Sequence, residues 1–168
     1  MTWATHHRRD TVLHDVMTAA DTRRDGALLW SEVEGAEEAF DTPTDLLLAV
    51  QMRWHTRLSG AIERQLTEQP WDIPGAVVHA WRHLASEMPG VRMILDAHAD
   101  DDAMRTARRK EWQLLATASG LSGFDDVAAP QRGHEVEQRA RSVTVVKTAP
   151  ERRKGQTVMS RVWHTVAA

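Results

Sequence analysis

The sequence predicts an all-α fold: a single helical bundle of about six to seven helices over residues 5–141, followed by a basic tail over residues 142–168. Three observations carry this. Apolar residues recur at helical spacing along most of the chain. Proline, glycine and cap-type side chains fall between those stretches. The only β-branched cluster, Val143-Thr144-Val145-Val146, stands alone, and one strand has nothing to pair with.

The first helix is expected from about His6 to Ala20, with Val12, Val16, Met17 and Ala20 on its apolar side. Asp25-Gly26 breaks it, and a second helix is expected from about Leu28 to Phe40. Asp41-Thr42-Pro43-Thr44 is a start signal of cap residues around a proline. The longest helix follows, to Thr67. Leu47, Val50, Trp54, Leu58, Ala61 and Ile62 share one face, and Leu46, Leu48, Met52 and Leu66 widen it. So broad an apolar arc predicts a central helix with more than one neighbour. Pro70 ends it, and Trp71-Asp72-Ile73-Pro74 opens a fourth helix that stops at Met88-Pro89-Gly90. A fifth covers Val91 to about His98. A sixth, capped by Asp100-Asp101-Asp102, runs to Ser119 and stops at Gly120, and a seventh spans about Pro130 to Arg141.

Composition narrows the function classes. Of the 168 residues, 42% are hydrophobic and 27% charged, ordinary globular usage that supports a core. The net charge of −3 does not suggest a polycation seeking nucleic acid. Without cysteine, disulfides, thiolate nucleophiles and Cys-ligated metals are excluded. No apolar run approaches the ~18 residues of a membrane span, and the N-terminus lacks a signal-type apolar stretch. A cytoplasmic protein is expected. Arginine outnumbers lysine and asparagine is absent, a bias of GC-rich bacterial genomes.

Residues 21–32, DTRRDGALLWSE, match the spacing of a calcium-binding EF-hand loop at Asp21, Asp25, Gly26 and Glu32. The chemistry fails at the positions between. Arg23 and Leu29 stand where oxygen ligands belong, so the loop reads as a helix-to-helix corner. Among the nine histidines, the best metal-like spacing is His79, His83 and Glu87, at i, i+4 and i+8. These three fall opposite the apolar stripe of Val77, Trp81, Leu84 and Met88, so a solvated face is expected, with no metal and no cofactor. His55 sits at the edge of the central apolar arc, a place for a boundary histidine. No nucleophile elbow or phosphate-binding glycine loop is present, so no catalytic residue is assigned.

Arg53, Arg57 and Arg64 form a stripe on the central helix suited to an anion, and Arg105, Arg108, Arg109 and Lys110 cluster on the sixth. Nucleic acid ranks below protein as the partner, because the would-be recognition helix at 28–40 carries Glu32, Glu34, Glu37 and Glu38. The tail is the most suggestive element. Arg152, Arg153 and Lys154 are basic, and Val158, Met159, Val162, Trp163 and Val166 share one side of a helical wheel. Such a segment docks on its own bundle, in a partner's groove or on an anionic membrane surface.

The stretch DLLLAVQMRWHTRLSGAIERQL, followed by AWRHLASEMPGVRMILD, resembles small all-helical proteins encoded in actinobacterial genomes, over about residues 5–118. The resemblance implies a helical fold and a bacterial cytoplasmic setting, and it implies no activity. The function expected first is a non-enzymatic interaction or regulatory protein that engages a macromolecule, most simply a protein, through Arg152, Arg153, Lys154, Val158, Val162 and Trp163 or through the arginine stripe. The alternative is a small-ligand-binding helical domain, with an apolar pocket near Trp54 and Trp81. A metal-dependent enzyme using His79, His83 and Glu87 ranks third.

Overall fold

The computed structural model describes residues 3–68, 70–123 and 125–142, and these form seven helices without a strand. They are α1 (Trp3–Arg23), α2 (Ala36–Ala39), α3 (Pro43–Thr67), α4 (Ile73–Glu87), α5 (Pro89–Ala97), α6 (Asp102–Ala118) and α7 (Ala129–Ser142). Ser142, where the basic tail is expected to begin, is the last residue of α7; the lone β-branched cluster at Val143–Val146 and the rest of the tail, 143–168, lie outside the described residues.

Local chemistry sets most boundaries. Thr42 caps α3, its hydroxyl accepting from the Asp45 amide at 3.1 Å, with Pro43 in the first turn. Asp72 caps α4 by accepting from the Gly75 amide at 2.9 Å. The second helix is far shorter than the expected 28–40. Leu29 has φ +60 and Gly35 φ +81, and these left-handed residues confine regular helix to the four residues of α2. The aspartates before α6 also differ from expectation. Asp101 stands at the N-cap without a side-chain cap bond, and its carboxylate meets His98 Nδ1 at 3.1 Å instead.

α3 is central, as its broad apolar face predicts: it contacts α1, α4, α5 and α6. Leu46, Val50, Trp54 and Leu58 are fully buried on it, while Leu48 and Met52 stay exposed on its α6 flank. Two glycines allow unusually close helix contacts. Gly90 brings α5 against the Ala20 carbonyl of α1, and Gly133 brings α7 against the Trp112 carbonyl of α6. α7 runs back along α6. Gly133 lies level with Trp112, and one turn on, Glu137 lies level with Arg108.

The corner at 21–32 is held by its own side chains. Arg23 pairs with Asp25 at 2.6 Å and with Glu32, occupying the space among the acids that an ion would need. Asp21 accepts from the Gly90 amide at 2.7 Å, which ties the end of α1 to α5. Burial plays little part here. The Ala27 amide and the Arg23 guanidinium hold the Asp25 carboxyl below its ordinary pKa.

Candidate functional site

Four helices around α3 place a chain of polar side chains inside the bundle. Glu111 of α6 is 3% exposed. Its Oε2 accepts from Gln51 Nε2 at 2.9 Å. Its Oε1 accepts from Trp54 Nε1 at 3.0 Å and, more weakly, from Trp81 Nε1 at 3.4 Å. The two indoles meet edge to face with centroids 5.9 Å apart. Arg92 of α5, 7% exposed, lies over the Trp54 ring at 4.9 Å, with Nη1 3.6 Å from Glu111. Arg92 binds Asp96 at 3.0 Å, and Arg141 of α7 grips the same Asp96 at 2.7 and 3.0 Å. Arg141 also reaches Glu137 at 2.7 Å. Glu137, 2% exposed, accepts from Trp112 Nε1 at 2.6 Å.

This chain of polar side chains stands beside Trp54 and Trp81, where the sequence suggests an apolar pocket. Glu111 and Arg92 stand there, and buried charges of this kind hold only when each has partners. Nothing in single residue types announces Glu111 or Glu137. The legible signal is phase. Glu111 sits seven residues after buried Met104 and four before buried Leu115, and Glu137 sits four after buried Gly133. An acid in an apolar stripe at helical spacing marks a buried carboxylate with donors around it.

Burial raises the pKa of Glu137, but the Trp112 N–H and the Arg141 guanidinium outweigh it and hold the carboxyl below its ordinary range. Asp96 is lowered in the same way, burial being outweighed by Arg141 and Arg92. A lowered folded pKa contributes stability that is complete above the unfolded value, about 4.3 for glutamate, and is lost as pH falls through the folded value. The midpoint of thermal unfolding is therefore expected to hold steady from pH 7 to 5 and fall below about pH 4.5. In Glu137→Gln the acid-side fall should be shallower, measured by circular dichroism melts between pH 6 and 3. Identical slopes in the two proteins would remove Glu137 as the cause.

Beside this cluster lies an open, mostly apolar cleft of about 510 Å³ between α3 and α6. Leu48 and Met52 form its α3 wall, and Ala103 and Ala107 form its α6 wall. Met52 is 64% exposed. Gln51 is the most buried of the lining residues, and Lys110 stands at the rim. With its Nε2 committed to Glu111, the Oε1 of Gln51 is buried without a hydrogen-bond partner.

The residues singled out from sequence are not gathered here. Arg53 pairs with Asp10 at 3.0 Å, in the wall of a second cleft between α1 and α3. Arg57 reaches the Met88 sulfur at 3.7 Å, and Arg64 stays exposed. Of the α6 basic cluster, Arg105 pairs with Asp102, and Arg108 lies over Trp112 at 4.9 Å. His79, His83 and Glu87 are exposed, with His83 Nδ1 3.4 Å from Glu87. Among the described residues, no group of three His, Asp or Glu is placed to hold a metal. His55 does line the cleft, at its edge. Arg152, Arg153, Lys154, Val158, Val162 and Trp163 lie outside the described residues. No described helix is long and apolar enough to cross a membrane. Comparison with protein families, with curated proteins and with solved structures finds no match to the chain.

Proposed function

We propose that this chain is an interaction protein, not a catalyst, and that its α3–α6 cleft takes the apolar face of an amphipathic helix. The observation that carries the reading is the pairing of exposed long apolar side chains, Leu48 and Met52, with small ones, Ala103 and Ala107, across an open cleft. Small residues on one wall let a helix come close, and a flexible methionine on the other adapts to its side chains. The buried carboxylates, which would be the acid–base candidates of an enzyme, are instead engaged by Gln51, Trp54, Trp112 and Arg141.

The size of the cleft also favours a second reading, an apolar small ligand, since ligand sites run from about 300 to 1,000 Å³. A photo-crosslinking phenylalanine at Met52 separates the two in cells. Adducts with a second polypeptide are expected at Met52 and not at Val127, which is exposed in the α6–α7 connection. A small-mass adduct would replace the protein partner with a ligand. Equal labelling at the two positions would discard the cleft as a binding site.

A further inference from the structure

We infer that, when no partner is bound, the α3–α6 cleft is covered by the chain's own residues 158–166, making the cleft autoinhibited; this rests on reading the cleft as a helix-binding site.

The first argument is where the chain leaves the bundle. The α6–α7 register, Gly133 level with Trp112 and Glu137 level with Arg108, sets Ser142 level with Ala103. Ala103 is part of the cleft wall. The tail therefore departs from the same end of α6 at which the cleft lies, on its α7 side. Residues 143–157 separate Ser142 from the apolar segment. Fully extended they reach roughly 50 Å at ~3.4 Å per residue. Passing around one helix requires about 10–12 Å. Tethering gives the segment an effective concentration on the order of millimolar.

The second argument is chemical fit. At helical spacing, Val158, Met159, Val162, Trp163 and Val166 form one apolar face, with Ser160, Arg161 and His164 opposite. The basic run Arg152-Arg153-Lys154 precedes this face, and the path from Ser142 to the cleft begins beside the exposed aspartates 100–102.

The chain has no cysteine, so engineered pairs report cleanly. In the purified full chain, Met52→Cys with Val162→Cys is expected to form a monomeric disulfide at least about tenfold faster than Met52→Cys with Arg161→Cys, given a bound segment that presents only one face. The two pairs have nearly the same tether, so equal rates overturn the inference. A disulfide that links two chains moves the segment onto a second copy and overturns it equally. If face-specific linkage fails while Met52 still crosslinks to another polypeptide in cells, the occupant comes from outside and the proposed function stands. If both fail, the function falls with it.

Discussion

Glu111→Ala is expected to reduce the stability of the protein by about 3–5 kcal/mol, the range for removing one partner of a buried ion pair. The residue is 3% exposed, and its carboxylate is the common acceptor for Gln51, Trp54 and Trp81, with Arg92 beside it. Truncation strands those donors in the centre of the bundle, where an unmade hydrogen bond costs about 1–3 kcal/mol each, though not additively. Arg92 keeps Asp96 at 3.0 Å, which limits the loss. Urea unfolding at pH 7 measures it. Glu111→Gln should fall between the wild type and Glu111→Ala, because it keeps an acceptor but not the charge. The double variant Arg92→Met, Glu111→Ala should lose less than the sum of the single changes, with a coupling of about 1–3 kcal/mol. A loss below about 1 kcal/mol for Glu111→Ala would mean that the four helices do not converge on this carboxylate.

The helices were legible because their signals are local. Thr42 and Asp72 sit at caps with proline just after, and the Val12–Ala20 and Val77–Met88 stripes bury the side that their spacing indicates. Expectation failed where a single backbone angle decides. The sequence around Leu29 reads as the start of a helix, yet its φ of +60 belongs to the corner that Arg23 closes between Asp25 and Glu32. The site was less legible, for two physical reasons. Its polar cluster joins residues as far apart as Gln51 and Glu111, or Asp96 and Arg141, and pairing across such separations leaves no pattern in a window of sequence. The cleft is marked by departure from the predicted core. Leu48 and Met52 belong to the apolar arc of α3 by spacing, and only the placement of α6 shows that they flank the core instead of filling it. The partner of Arg53 was hidden for the same reason: Asp10 is contributed by another helix, forty-three residues away.

Gly133→Ala should destabilise the protein by about 3 kcal/mol, at the upper end of ordinary overpacking. An added Cβ would lie 1.7 Å from the Trp112 carbonyl oxygen and 2.6 Å from its Cα. Those are backbone atoms, so no rotamer change relieves the overlap, and α6 and α7 must move apart. The shift pulls on the Trp112–Glu137 bond at 2.6 Å and on the Arg141–Asp96 pair beyond it. Alanine is the better helix former by about 1 kcal/mol, which opposes the loss without cancelling it. Gly60→Ala is the matched comparison. It too lies inside a helix, but its nearest outside neighbour is the end of the flexible Arg64 side chain at 3.6 Å, so only the propensity gain remains and stabilisation by about 1 kcal/mol is expected. Urea unfolding of the two variants should therefore move in opposite directions. The same change bears on the cleft: the α6–α7 register sets Ser142 beside Ala103, so Gly133→Ala should slow the Met52–Val162 disulfide as well. If Gly133→Ala behaves as Gly60→Ala does, α7 does not lie against α6 in this register, and the route of the tail to the cleft goes with it.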